Sequence, residues 1–195
     1  MFDTWMRLLN AVSGSVLWLS KPDDEAIVNL CKAAEGHGID PQRLVFAGRV
    51  PLVQDHLARY ALADLFLDTS PYNAHTTAAD ALFAGLPVLT YAGNTFAGRV
   101  AGSLLNAVGL PELVTNSMEQ YAELALALAG DQARLGAIKA KLIANKATFP
   151  LFDTPRYCRH LELSFKMMWE GHQSGKQPEG FAVGDGTQKR PPTAE

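Results

Sequence analysis

Short unbroken apolar runs alternate along this chain with longer stretches in which apolar residues return every three or four positions. Trp5, Leu8, Leu9 and Val12 have the helical spacing and Ser13-Gly14 interrupts it, so Phe2 to Val12 reads as a helix. Val16-Leu-Trp-Leu19 has the continuous apolar form of a buried parallel strand. Pro22 and Asp23 then favour a helix start; Ala26, Ile27 and Leu30 keep the period, and Gly36 or Gly38 closes the segment. Leu44 to Ala47 is the next strand, Gly48 to Pro51 its turn, and Val53 to Ala61 a helix. Leu65 to Leu67 is a third strand, Thr76 to Ala84 a helix ended by Gly85, and Pro87 to Tyr91 a fourth strand. Gly93-Asn-Thr95 leads into a helix through Val108, Glu112 to Val114 makes a short last strand, and Ser117 to Ala129 is helical. Two more helices follow, Asp131 to Lys146 and Thr154 to about His172, separated by a break at Phe149-Pro-Leu-Phe152. Tyr157, Leu161, Phe165, Met168 and Trp169 form an apolar stripe on the last one, which reads as a packing face.

Strands separated by helices predict an α/β fold: a Rossmann-like, doubly wound parallel sheet followed by C-terminal helices. Residues 1–174 form the expected domain, and 175–195 a polar tail that is most marked from Gly184 to Glu195. The alternation opens on a helix, where a doubly wound half ordinarily opens on a strand. A first strand is therefore expected upstream of Phe2. A sheet lacking that strand would expose an edge and favour pairing with a second copy, a homodimer.

Composition narrows the function classes. The 195 residues are 48% hydrophobic and 19% charged, which suits a globular domain with a substantial core. A net charge of −3 gives no general attraction to nucleic acid or to an anionic membrane, so any anion must be bound locally. Cys31 and Cys158 are far apart and lack metal-ligand spacing, which points to free thiols in a reducing compartment. No apolar run reaches the ~18 residues of a membrane-spanning helix, and the N-terminus lacks the pattern of a signal peptide. A cytoplasmic protein is expected.

The candidate chemistry concentrates in Asp68-Thr-Ser-Pro-Tyr-Asn-Ala-His-Thr-Thr-Ala-Ala-Asp80, which joins a strand to a helix through a polar loop. In open α/β sheets, ligands bind beyond the carboxyl ends of the strands, where this loop lies. A helix start offers unpaired N–H donors and the positive end of the macrodipole, which suits a phosphate. Thr76 and Thr77 add hydroxyl donors, with ordinary helix capping as the competing explanation for them and for His75. Asp80 follows Thr76 by four residues and Thr77 by three. It therefore lies on their face one turn deeper, able to accept from a ligand hydroxyl beside the phosphate. His56 and Arg59, three apart, share a helical face where a ring could meet a base and a guanidinium an anion; a solvated polar face is the alternative. Gly93 to Arg99 fails the P-loop test, because Arg99 stands in place of Lys and Val100 in place of Ser or Thr. Gly98 and Gly102, four apart, read as a close helix-packing pair.

With these residues in place, the chain resembles the C-terminal part of the catalytic region of O-linked N-acetylglucosamine transferases, including bacterial relatives joined to tetratricopeptide repeats. The resemblance runs through His56-Leu-Ala-Arg59, Leu62-Ala-Asp-Leu-Phe-Leu-Asp-Thr69, Asn73-Ala-His-Thr-Thr-Ala-Ala-Asp80, Ala84-Gly-Leu-Pro-Val88 and Pro150-Leu-Phe-Asp-Thr154. It implies the C-terminal domain of a metal-independent GT-B glycosyltransferase, with no cofactor, a UDP-sugar as donor and a protein as acceptor. By that resemblance His75, Thr76 and Thr77 hold the diphosphate, Asp80 meets the ribose, and His56 with Arg59 surrounds the uracil. Asn73 belongs to the same block. The resemblance also implies that an N-terminal catalytic half carries the acceptor contacts, so that these residues alone are inactive in transfer. Two alternatives stand beside it: a non-catalytic binding or assembly module that keeps the fold, and an enzyme for a different sugar nucleotide.

Overall fold

The computed structural model describes residues 1–184. The expected tail falls largely on residues 185–195, which lie outside the described ones. Two compact units are present, Met1–Lys146 and a second from Ala147 onward.

The first unit contains helices α1 (Phe2–Ala11), α2 (Asp24–Gly36), α3 (Val53–Arg59), α4 (Thr76–Ala84), α5 (Val100–Ala107), α6 (Met118–Gly130) and α7 (Gln132–Asn145). Its strands are β1 (Leu17–Ser20), β2 (Leu44–Ala47), β3 (Phe66–Leu67), β4 (Val88–Tyr91) and β5 (Val114–Thr115). Every pairing is parallel, as the alternation of strands and helices requires. The strands form two groups rather than one sheet. β1 pairs with β2, with Leu17 opposite Leu44, while β4 lies between β3 and β5, with Phe66 opposite Val88 and Thr90 opposite Val114.

Helix α1 connects the two groups through its side chains. Met6 and Leu9 are buried with Ala34, Ile39 and Leu44 beside the β1–β2 pair, whereas Leu8 is buried with Leu89, Tyr121, Ala122 and Ala125 beside β4. Trp5 packs against both clusters. Four apolar residues within two turns give the helix a stripe wide enough to serve both. Arg43 reinforces the junction, donating through Nη2 to the carbonyls of Leu9 (2.7 Å) and Val12 (2.9 Å) and through Nε to that of Ser15 (2.8 Å).

Local chemistry sets the element ends. Asp23 caps α2 by accepting from the Ala26 N–H at 2.8 Å, and Ser117 caps α6 by accepting from Gln120 at 3.1 Å. Gly85 ends α4 with φ of 89°, a conformation that a Cβ penalises.

Other expectations change as well. The helix expected to follow Gly93-Asn-Thr95 begins only at Val100, and Gly93 to Arg99 is a loop closed by the Gly93 N–H donating to the Gly98 carbonyl at 2.7 Å. Gly98 therefore does not pair with Gly102 on a helix. A Cβ on Gly98 would stand 3.0 Å from the Pro71 carbonyl oxygen, while one on Gly102 would face Val114 at 3.5 Å. The last strand is Val114–Thr115, because Pro111 sets a 3-10 turn over Pro111–Leu113.

The second unit consists of a 3-10 turn, Pro150–Phe152, and helix α8 (Thr154–Gln173), whose start is capped by Asp153 accepting from the Arg156 N–H at 2.9 Å. The stripe of Tyr157, Leu161, Phe165, Met168 and Trp169 is exposed rather than packed. Among the described residues of its own unit, α8 has only the short turn Pro150–Phe152 as a neighbouring element, too small to cover that face. Among the described residues no helix is long and apolar enough to cross a membrane.

Candidate functional site

The loop between β3 and α4 is shaped by one buried carboxylate. Asp68, 1% exposed, accepts through Oδ1 from the N–H groups of Ala74 (2.6 Å) and Thr69 (2.8 Å), and through Oδ2 from the Thr90 hydroxyl (2.5 Å). The Tyr121 hydroxyl on α6 donates to the Asp68 carbonyl at 3.0 Å, and Thr115 Oγ1 donates to the Thr90 carbonyl at 2.9 Å. A polar chain thus runs through β5, β4 and β3 to the loop. Burial raises the Asp68 pKa above the usual carboxylate range, against the opposing pull of the Ala74, Thr90 and Thr69 hydrogen bonds and of His75. Burial likewise pushes the Tyr121 hydroxyl up.

Asn73 is buried too, at 1% exposure. Its Nδ2 donates to the Thr69 carbonyl at 2.9 Å, and its N–H donates to the Ala97 carbonyl at 2.9 Å, joining this loop to the one after β4. Its Oδ1 is buried without a hydrogen-bond partner. The Ser70–Pro71 peptide is cis.

These bonds deliver the chain to α4 in a definite arrangement. His75 is the N-cap residue, and no side chain caps the helix. Thr76 and Thr77 are its first two residues and are exposed, so capping does not account for them. The start of α4 thus combines first-turn N–H groups that no side chain caps with two exposed threonines, at the positive end of the helix. Asp80 lies one turn on and is half-buried. His75 is held by stacking on Tyr72 (4.8 Å between centroids, 21°), by the Phe96 ring edge-on at 6.1 Å, and by a long contact from Nε2 to the Ala97 carbonyl at 3.4 Å. Tyr72 and Phe96 are 63% and 77% exposed, forming an aromatic rim from two adjacent loops.

Helix α3 and the turn Tyr60–Leu62 pack against α4, the helix that carries Asp80. Tyr60 is the link: its ring meets His56 edge-on at 5.4 Å, and its hydroxyl is raised above the usual range by burial and then by the Asp80 charge, with Arg59 opposing. Arg59 is engaged within the protein, Nη1 donating to the Gly48 carbonyl at 2.6 Å and Nη2 meeting His56 Nδ1 at 2.8 Å. Five of the seven sequence candidates, His56, His75, Thr76, Thr77 and Asp80, thus present polar groups around α4. Asn73 and Arg59 are hydrogen-bonded within the protein, Asn73 to the Thr69 and Ala97 carbonyls and Arg59 to the Gly48 carbonyl and His56.

Tyr60, Tyr72, Thr90, Phe96 and Tyr121 carry no local sequence signal for these roles, and Asp68 only marks the start of the polar stretch. A carboxylate ending an apolar run just before a polar loop was the signal available for Asp68. Among the described residues no three His, Cys, Asp or Glu side chains cluster so as to hold a metal ion.

Comparison with known proteins identifies the lineage. The family model of glycosyl transferase family 41 matches residues 1–161. The probable UDP-N-acetylglucosamine–peptide N-acetylglucosaminyltransferase SEC of Arabidopsis thaliana is 40% identical over 93% of this chain and 18% of its own length. The UDP-N-acetylglucosamine–peptide N-acetylglucosaminyltransferase of Caenorhabditis elegans is 36% identical over 89% of this chain and 15% of its own. This chain therefore spans less than a fifth of these curated relatives. A mutant of the Thermobaculum terrenum O-GlcNAc transferase superposes with a TM-score of 0.82 at 33% identity, over 89% of this chain and 34% of that one. The fold is accordingly that of part of a GT-B catalytic region. By sequence match and by fold alike, the chain belongs to glycosyl transferase family 41.

Proposed function

We propose that these residues form the donor side of a glycosyltransferase that takes N-acetylglucosamine from UDP-N-acetylglucosamine to Ser or Thr hydroxyls of proteins. The observation that carries this is the start of α4: a helix N-terminus without a side-chain cap, two exposed threonine hydroxyls on its first turn, and Asp80 one turn deeper. A diphosphate fits the N–H groups and hydroxyls, a ribose hydroxyl fits Asp80, and the base fits beside His56, whose ring packs on Tyr60 of the turn that contacts α4. The names of the relatives pair the same sugar nucleotide with peptide acceptors.

In transfer, the acceptor oxygen bonds to the anomeric carbon as the bond from that carbon to the diphosphate breaks. Negative charge then grows on the departing UDP, where the α4 N–H groups and threonine hydroxyls are already aimed. The work of the chain is to hold and stabilise that leaving group without a metal ion. The proton of the acceptor goes to a base outside these residues, so the chain by itself binds donor but does not transfer. We place the protein in the cytoplasm, where its two thiols stay reduced.

Calorimetry with UDP and UDP-N-acetylglucosamine tests the site. Binding of both, unchanged by a chelator and lost in Thr76→Ala/Thr77→Ala, supports it. No binding at millimolar nucleotide favours the assembly-module alternative, and tighter binding of a GDP- or ADP-sugar contradicts the choice of donor.

A further inference from the structure

We infer that Arg59 is a positioning residue that fixes the tautomer of His56, making this ring a hydrogen-bond donor toward the base of the nucleotide.

The step is chemical. A guanidinium carries only donors and stays charged, so the His56 nitrogen it meets must supply a lone pair. Arg59 Nη2 meets His56 Nδ1 at 2.8 Å. Nδ1 is therefore the acceptor, and the single proton of the neutral imidazole sits on Nε2. Arg59 is itself tethered, since its Nη1 donates to the Gly48 carbonyl at 2.6 Å, in the turn between β2 and α3. The Tyr60 ring meets the imidazole edge-on at 5.4 Å and 79°, which restrains its rotation. One arginine thus joins the β2–α3 turn to the ring and sets which nitrogen bears hydrogen. The free nitrogen, Nε2, offers N–H. Directed at position 4 of the pyrimidine, it favours the carbonyl oxygen of uracil and opposes the amino group of cytosine. A buried donor facing a donor is penalised, so the choice matters.

The discrimination rests on the nucleotide reading above, but the tautomer does not, because it belongs to the ligand-free chain. Long-range proton–nitrogen correlation spectra of the histidine-labelled protein, kept at a pH where the ring is neutral, read it directly. In the wild type His56, assigned by its loss in His56→Gln, should show an unprotonated Nδ1 and a protonated Nε2. Arg59→Met should give a mixture of tautomers, and Arg59→Lys, which also only donates, should restore Nε2–H. Titration with UDP and CDP should give a preference for UDP of about tenfold that shrinks in Arg59→Met. A wild-type ring protonated on Nδ1 would overturn the inference even if Arg59→Met failed to fold. So would an unchanged tautomer in a folded Arg59→Met. If neither nucleotide binds while the tautomers behave as described, the donor reading fails and the positioning role of Arg59 stands.

Discussion

The Thr90 hydroxyl, at the centre of the three-stranded sheet, donates to the carboxylate of Asp68 at 2.5 Å across 22 positions of sequence. The same carboxylate accepts the N–H groups of Thr69 and Ala74 on either side of the loop, so the loop that delivers His75 and Thr76 is moulded on a single buried group. Removing it should strand three donors. Asp68→Ala is expected to cost about 3 kcal/mol or more, by the usual penalty for buried unsatisfied groups, and to abolish nucleotide binding. Asp68→Asn keeps one oxygen for the two N–H groups and can donate to Thr90 Oγ1, so it should cost about 1 kcal/mol. Denaturant unfolding distinguishes them, and equal losses would contradict this account.

Asp68 also gives the fold a signed pH dependence. Its folded pKa is raised, first by burial, above the ordinary 3.8, so the folded chain holds this proton more tightly than the unfolded chain. The resulting stabilisation is full below the ordinary value and is lost as the pH climbs through the raised one. Asp68→Asn cannot titrate here. The stability of the wild type minus that of Asp68→Asn should therefore fall with rising pH across the acid range and then level off. A difference that rises with pH would contradict the assignment.

Much of this arrangement could be read from the sequence, and the parts that could not have a common cause. The helix Thr76–Ala84 was legible because polar loop residues precede it, apolar Ala81 and Leu82 fall on its buried face, and Gly85 supplies the left-handed end. The four residues after Thr95 look helical in sequence, with Gly98 and Gly102 four apart, whereas Gly98 lies in a loop where a Cβ would stand 3.0 Å from the Pro71 carbonyl oxygen. The bonds from Thr90 and Tyr121 to Asp68 cross 22 and 53 positions, and no local pattern encodes them. The bond from Arg59 to the Gly48 carbonyl has no sequence signature either, because its acceptor is a main-chain atom.

Gly98 offers a test of how far the site depends on the neighbouring loop. A methyl group there would come 3.0 Å from the Pro71 oxygen and 3.3 Å from Gly93 Cα, both backbone atoms that cannot swing aside. Gly98→Ala should push the two loops apart, costing about 1–3 kcal/mol of stability and weakening nucleotide binding. Unchanged stability and affinity would show that the loops are not coupled.

The threonines separate binding from folding. Both are exposed, so Thr76→Ala and Thr77→Ala should leave the melting temperature nearly unchanged. Each should weaken UDP binding by about tenfold, the effect of one hydrogen bond to a charged group. Thr77→Ser, which keeps the hydroxyl, should bind as the wild type does. Loss of binding in Thr77→Ser, or none in the alanine variants, would place the phosphates elsewhere.

The central claim is that the start of α4 cradles a diphosphate, and a crystal structure of the chain soaked with UDP tests it most directly. Phosphate oxygens should lie within hydrogen-bond distance of the Thr76 and Thr77 N–H groups and hydroxyls, with a ribose hydroxyl on Asp80 and the base beside His56. UDP bound with its diphosphate away from the first turn of α4 would contradict it.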